Sequence, residues 1–166
     1  MGIEQAILDW DGKSADDIQA VFKTYAKRSG FINKIVDLSL EPVYERGSTW
    51  LIKAWLESGN KLDPSQISKV YASLNKLEDW QAKLHVLQSI PYMPISNADS
   101  KKVHRFLINS LSNENKFVRA WSYNGLHELS KIHTHYLEEA NMFFKLAMRD
   151  EAPSVKARIR NILKNL

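Results

Sequence analysis

Residues 112–129 read SNENKFVRAWSYNGLHEL, and residues 149–163 read RDEAPSVKARIRNIL. Each segment opens with a polar or acidic turn, continues with Val and a basic residue, and then places small or apolar residues at helical spacing. A third copy begins at Ala82-Lys83, so that Ala82-Lys83, Val118-Arg119 and Val155-Lys156 follow one another at steps of 36 and 37 residues. The chain is therefore predicted to repeat a unit of about one helical pair.

Further positions of the three copies also correspond. Offsets of 4, 8 and 11 residues from the first residue of each dipeptide trace one helix face, and they carry Val86, Ser122 and Ile159, then Ile90, Leu126 and Leu163, then Met93, Leu129 and Leu166. We predict inner helices near residues 46–58, 79–90, 116–130 and 153–165. The apolar residues expected between layers are Leu84, Ile90, Val118, Leu126, Val155, Ile159 and Leu163.

Helix start signals agree with this periodicity. Asp63, Pro64 and Gln66 occupy the cap, first and third positions of a helix. Further predicted caps are Ser48 or Thr49 for the helix at 46–58, and Asn97 or Asp99 for the helix that contains Val103. No alternating polar and apolar run is long enough to predict a strand. The five Trp fall on or near apolar stripes and are predicted mainly as core: Trp10, Trp50, Trp55, Trp80 and Trp121.

The quoted segments resemble the second-helix signature of HEAT repeats, an armadillo-type α-solenoid family, over roughly residues 63–166. The resemblance implies an all-α, right-handed HEAT-like solenoid in one domain over residues 1–166, with capping helices in 1–45 and stacked helical hairpins in 46–166. Two residues depart from the pattern: Ser122 replaces a small apolar residue, and Arg158 replaces a neutral one. A compact helical bundle is the alternative architecture.

The chain has no Cys, which excludes disulfides, thiolate metal sites and cysteine nucleophiles and fits a reducing compartment. Its first residues lack the basic start and apolar run of a signal peptide. No apolar run reaches the length of a membrane span. We therefore expect a cytoplasmic protein with no membrane partner.

Charge is distributed unevenly along the chain. Residues 1–80 hold 10 basic and 12 acidic side chains, whereas residues 81–166 hold 13 and 7, a net charge of +6. Four bases and no acid follow Pro153: Lys156, Arg158, Arg160 and Lys164. This pattern fits an acidic partner, and it equally fits a solvated helix end whose bases complement the helix dipole.

The HEAT resemblance implies that second helices line a concave binding face. Equivalent positions there would form a basic row of Lys83, Arg119 and Lys156, which on a structural interpretation instead bond acids or carbonyls such as those of Glu78, Glu114 or Asp150. Tyr123 could stack on a base or on an arginine of a peptide; His85 is either a ligand contact or a hydrogen-bonded structural residue. The predicted partner-binding residues are Lys83, His85, Arg119, Tyr123, Asn124, His127, Lys156 and Arg160.

Catalytic and metal motifs are absent from the sequence. His127, His133 and His135 lack the four-residue spacing of a helical zinc motif, and no HExxH pattern occurs. A GxSxG nucleophile elbow is also missing. We predict no catalytic residue, metal or cofactor, and an enzyme remains the less favoured class.

Two binding functions stay open. The first is a scaffold that holds a protein or peptide partner on its concave face. The second is nucleic-acid binding, supported by the basic half of the chain and its interleaved aromatics. HEAT-like alkylpurine DNA glycosylases resemble this chain in fold and basic concavity, but their catalytic acid and DNA-facing aromatic motif has no residue-by-residue match here. The oligomeric state is not indicated by the sequence.

Overall fold

The computed structural model describes residues 2–165, and every regular element in that range is helical. The α-helices are α1 (Ile3–Leu8), α2 (Ala15–Tyr25), α3 (Phe31–Leu38), α4 (Glu45–Glu57), α5 (Pro64–Ser73), α6 (Trp80–Ser89), α7 (Asn97–Ser110), α8 (Lys116–Ile132), α9 (Leu137–Asp150) and α10 (Pro153–Lys164). Short 3₁₀ turns are Leu74–Lys76, Ile90–Tyr92 and Thr134–Tyr136. The all-α prediction is confirmed. Among the described helices, none combines the length and apolar character that crossing a membrane requires.

Capping side chains set where the helices begin. At α5, the Asp63 carboxylate accepts from the Gln66 backbone N–H at 2.8 Å, and the Gln66 side chain accepts from the Asp63 backbone N–H at 2.8 Å. This is the predicted capping box, with Pro64 at the first position. The start of α7 differs from the prediction. Ser96 caps it, because its hydroxyl accepts from the Asp99 backbone N–H at 3.2 Å.

The four predicted inner helices correspond to α4, α6, α8 and α10. The bounds differ by only one or two residues, the usual uncertainty at a helix end. One start signal was wrong: α4 begins at Glu45, so Ser48 and Thr49 lie inside the helix, where both are buried. The Thr49 hydroxyl donates to the Glu45 carbonyl at 2.7 Å, which satisfies it without a capping role.

The described residues divide into two compact units, within Met1–Met93 and Pro94–Leu166. In the first unit, α4 packs against α3 and α6, α3 also packs against α5, and α1 and α2 pack against α4. In the second unit, α8 packs against α7, α9 and α10, and α10 also packs against α9. Helices α4 and α8 are therefore central in their respective units.

Most of the predicted apolar face is buried. Side chains with at most 2% exposure are Ile90, Val118, Leu126, Val155 and Ile159. Leu84 is only half-buried, and the prediction for Leu163 was wrong, since it is 41% exposed. At about 100° of rotation per residue, an offset of 8 places Leu163 at the margin of the face, roughly 80° from Val155. The same offset is buried at Leu126, because α8 packs against three helices of the unit and α10 against two. The buried position is taken by Ile162, at an offset of 7.

The prediction that the Trp side chains are mainly core was also wrong. Trp80 is 42% exposed, and the other four are half-buried. An indole N–H needs a hydrogen-bond partner, which the edge of a core supplies more readily than its centre. Trp10 donates to the Ser14 carbonyl at 2.8 Å, and Trp55 donates to the Lys61 carbonyl at 3.1 Å.

Seven side-chain contacts between neighbouring elements recur at similar sequence separation in the two units. Their partners are 32 to 38 residues apart. In the first unit they are Asn33 with Gln66, Asp37 with Lys69, Arg46 with Asp79, and Thr49 with His85. In the second unit they are Ile95 with His133, His104 with Glu139, and Arg119 with Glu151. This separation matches the 36- and 37-residue steps of the sequence alignment.

Candidate functional site

A polar cleft of about 310 Å³ lies between α8 and α10 in the second unit. Helix α8 contributes Asn124 and His127, both predicted partner-binding residues, together with Glu128 and Lys131. Helix α10 and its C-cap contribute Arg158, Asn161, Ile162 and Asn165. Helices α8 and α10 pack together, and each buries apolar side chains, Val118 and Leu126 on α8 and Val155 and Ile159 on α10. The longer polar side chains of both helices line the cleft.

Arg158 is held at this cleft by an aromatic ring. Its guanidinium carbon lies 4.1 Å from the centroid of the Trp121 ring, the geometry of a cation–π contact. Within residues 2–165 the Arg158 side chain has no ion pair or hydrogen bond. Its guanidinium is therefore oriented by stacking while its N–H donors stay available to a ligand.

Three asparagine amides surround the same space. Asn124 is half-buried on α8, whereas Asn161 and Asn165 are exposed at the end of α10. Each amide carries two N–H donors and a carbonyl acceptor. None of the three side chains has a hydrogen-bond partner in the part of the chain that the structure describes. The cleft thus presents donors and acceptors on both helices.

The charge of the cleft is positive but small. Glu128 and Lys131 pair with each other at 3.0 Å. The pKa of His127 is lowered from its ordinary value, mainly by burial and further by the Lys131 ammonium. His127 is therefore neutral at pH 7. Because the charges of Glu128 and Lys131 cancel, Arg158 supplies the net positive charge of the cleft.

Arg119 is tied into the structure rather than presented to a partner. Its Nε donates to both carboxylate oxygens of Glu151, at 3.2 and 2.8 Å, and its Nη1 donates to the Asn113 and Glu114 carbonyls at 2.9 and 3.1 Å. This matches the structural interpretation of the basic row, with Glu151 in place of Asp150. Arg119 joins the turn before α8 to the turn before α10.

Tyr123 is 6% exposed, which corrects the expectation of a side chain that stacks on a ligand. Its ring packs against Phe144 of α9, with 6.3 Å between centroids. Burial and then the Glu151 carboxylate raise the pKa of Tyr123 to about 12. Asn124 is the next residue of α8, and the rotation of about 100° per residue separates its side chain in the cleft from the buried Tyr123 ring.

The other two predicted residues of the second unit lie on α10. Lys156 is half-buried, and its ammonium donates to the Arg149 carbonyl at 3.4 Å. Arg160 is exposed. With Lys164 they form a row at four-residue spacing, which places all three on neighbouring turns of one helix side. This row does not line the cleft.

In the first unit, Lys83 is half-buried and His85 is 8% exposed. The Nδ1 atom of His85 lies 3.0 Å from the Thr49 hydroxyl. Burial makes His85 a structural residue, which corrects its assignment as a ligand contact. The ion pair that corresponds to Arg119–Glu151 in this unit is Arg46–Asp79, which joins the start of α4 to the cap of α6.

Sequence reasoning missed three of the side chains that shape the cleft. Arg158, Asn161 and Asn165 are spaced by three and four residues, so they share one side of α10. In the sequence Arg158 stands out as a departure from the HEAT pattern and as one of the four bases after Pro153, but neither feature assigns it to a site. Its spacing of three and seven residues from the two asparagines, one and two helical turns, was the available signal that it belongs to a polar face.

The described residues hold no group of three His, Asp or Glu side chains that could bind a metal ion. Comparisons with protein-family models, with curated proteins and with solved structures give no match to this chain.

Proposed function

We propose that this chain is a non-catalytic binding protein made of stacked HEAT-like hairpins, and that the cleft between α8 and α10 holds an extended peptide segment of a protein partner. The observation that carries the proposal is the presence, on two facing helices, of three asparagine amides and a stacked arginine without internal polar partners among the described residues.

The stacked arrangement is supported by the packing within each unit. Second helices pack on second helices, α4 on α6 and α8 on α10, and the first helices α3 and α5 also pack together. Side-chain contacts at separations of 32 to 38 residues, close to the repeat length, link successive hairpins. A right-handed solenoid with repeating nearest-neighbour interfaces accounts for both features.

The chemistry of the cleft favours a peptide with an acidic side chain. An asparagine amide can accept from a peptide N–H and donate to a peptide carbonyl at the same time. Arg158, oriented by Trp121, matches a carboxylate with two parallel N–H groups. A volume of about 310 Å³ lies at the small end of ligand pockets, enough for a few residues of an extended chain.

A random peptide library selected on the purified protein should enrich sequences with Asp or Glu. For a selected peptide, Arg158→Gln should weaken binding by about 10- to 100-fold, because a hydrogen bond to a charged group contributes about 1.5–3 kcal/mol. Fluorescence anisotropy titrations measure this change. Arg160→Gln is the matched control, since it removes the same charge from α10 outside the cleft. Equal affinities for the two variants, or peptides without acidic bias, would contradict the proposal.

Nucleic-acid binding is the second candidate function. It is favoured by the Lys156, Arg160 and Lys164 row, because like charges four residues apart destabilise a helix and α10 has no acid to offset them. A competing role for Lys164, at the helix C-terminus, is to complement the helix dipole. The row is separate from the cleft, so the two functions can be tested independently.

If α10 contacts phosphates, the affinity for duplex DNA should fall steeply with salt. Replacing Lys156, Arg160 and Lys164 by Ala should then reduce the log–log salt slope by about 0.9 for each phosphate that is no longer neutralised. Anisotropy titrations with labelled DNA and RNA over a range of salt concentrations test this. Arg158→Gln should leave the slope nearly unchanged. A triple variant with the wild-type slope would rule out α10 as a nucleic-acid surface.

A further inference from the structure

Helix α9 carries an exposed face that no helix of its own unit covers within the described residues. A groove of about 1130 Å³ runs along α9 and the 3₁₀ turn before it. Met142 is 51% exposed and Leu146 is 43% exposed at its centre, and Leu137 is 45% exposed at its start. The opposite side of α9 packs inward through Ala140, Phe144 and Ala147. Adjacent exposed apolar side chains rimmed by charges are typical of interaction surfaces.

Charged residues flank the apolar centre in a definite order. Glu138 lies one turn before Met142, whereas Lys145 and Arg149 lie one and two turns after it. At about 100° of rotation per residue, these four side chains point within roughly 60° of one another. All four are exposed. The face is therefore acidic at its N-terminal end, apolar in the middle and basic at its C-terminal end.

This face is complementary to the same face of a second copy when the two α9 helices run antiparallel. Glu138 and Arg149 lie at equal distances on either side of the point between Phe143 and Phe144, and so do Met142 and Lys145. A two-fold axis through this point would place each Glu138 opposite Arg149 of a second copy. It would also place each Met142 opposite the aliphatic stem of Lys145 of the second copy, with Met142 and Leu146 of both copies near the axis. A parallel arrangement would oppose like charges instead.

We propose that this α9 face binds the same face of a second copy of the chain, forming an antiparallel, two-fold symmetric dimer. An isologous interface requires that residues at equal distances from the axis be complementary, as Glu138 and Arg149 are. Arg149 is available for the contact, because its only ion pair in the described residues is with the neighbouring Asp150, at 3.6 Å with both side chains about 70% exposed. Such an exposed pair contributes little.

One pair of helices buries less area than the roughly 1,600 Å² of a standard stable interface. We therefore expect a reversible dimer whose population rises with protein concentration. Salt should weaken it, since the Glu138–Arg149 contacts lie at the rim of the apolar centre and are screened.

Sedimentation velocity of the full chain at increasing concentration tests the dimer, and charge exchange tests its geometry. Glu138→Lys and Arg149→Glu should each weaken dimerisation by at least about 10-fold, because each change creates two symmetric like-charge contacts. The double variant should recover most of the loss, since opposite charges face each other again. Circular dichroism checks that every variant keeps its helical content.

Lys101→Glu, an exposed position on α7, reverses a positive charge as Arg149→Glu does and should leave dimerisation unaffected. A wild-type chain that stays monomeric at the highest soluble concentration would overturn the proposal. So would single variants that dimerise as the wild type does, or a double variant weaker than both single variants.

Discussion

Leu126→Ala should lower the free energy of unfolding by about 2–5 kcal/mol, the range of large-to-small substitutions in well-packed cores. Leu126 is 1% exposed and lies on α8, which packs against α7, α9 and α10. Three helices surround α8, so the cavity left by the missing atoms cannot close by the movement of a single neighbour. The substitution therefore removes both transfer free energy and packing interactions.

Urea denaturation followed by circular dichroism measures this loss, with Leu163→Ala as the matched control. Leu163 occupies the equivalent position of the last repeat copy but is 41% exposed, so its truncation should cost less than about 0.5 kcal/mol. The two variants remove the same atoms, and only their surroundings differ. A loss below about 1 kcal/mol for Leu126→Ala, or equal losses for the two variants, would mean that the buried face of α8 is assigned incorrectly.

The helices could be predicted because their signals are local. The Asp63-Pro64-Gln66 capping box and the repeated apolar positions depend on residues within a few turns of each other, and α5, α6, α8 and α10 appear close to the expected bounds. The different burial of Leu126 and Leu163 could not be predicted from local signals of this kind. Both have the same offset from the start of their repeat copy, but α8 has three neighbouring helices and α10 has two in the second unit.

The candidate site was predicted only in part for a similar reason. Helical spacing correctly placed Tyr123, Asn124 and His127 together on α8. Spacing does not show which side of α8 is covered by α9. Contact with Phe144 buries Tyr123, while Asn124 is left in the cleft. Arg158 was harder to recognise because its significance depends on Trp121, a residue of another helix.

The stability of the protein should fall by about 3 kcal/mol between pH 6.5 and pH 4 through His85 alone, since one pKa unit corresponds to about 1.4 kcal/mol. Burial first, and then the Lys53 ammonium, lower the pKa of His85 to about 4. A hydrogen bond with the Arg46 backbone and the Asp79 carboxylate act in the opposite direction, and the charge of the Arg46 guanidinium adds a weaker lowering effect. An unfolded chain has the ordinary histidine pKa of about 6.5. Below that pH His85 is protonated in the unfolded state but stays neutral in the native state, so acid favours unfolding. The contribution of His85 to the stability of the native state is therefore complete above about pH 6.5 and is lost as the pH falls to about 4.

Urea denaturation at a series of pH values from 7 to 4 measures this dependence, and His85→Leu should flatten it. The Thr49 hydroxyl keeps its bond to the Glu45 carbonyl in this variant, so no buried polar group is orphaned by the change. His127 contributes in the same direction, because burial also lowers its pKa, but it is only half-buried and its share is smaller. His135→Asn, at an exposed position, is the control and should retain the wild-type slope. If His85→Leu lost stability with acid as steeply as the wild type, protonation of another group would have to account for the transition.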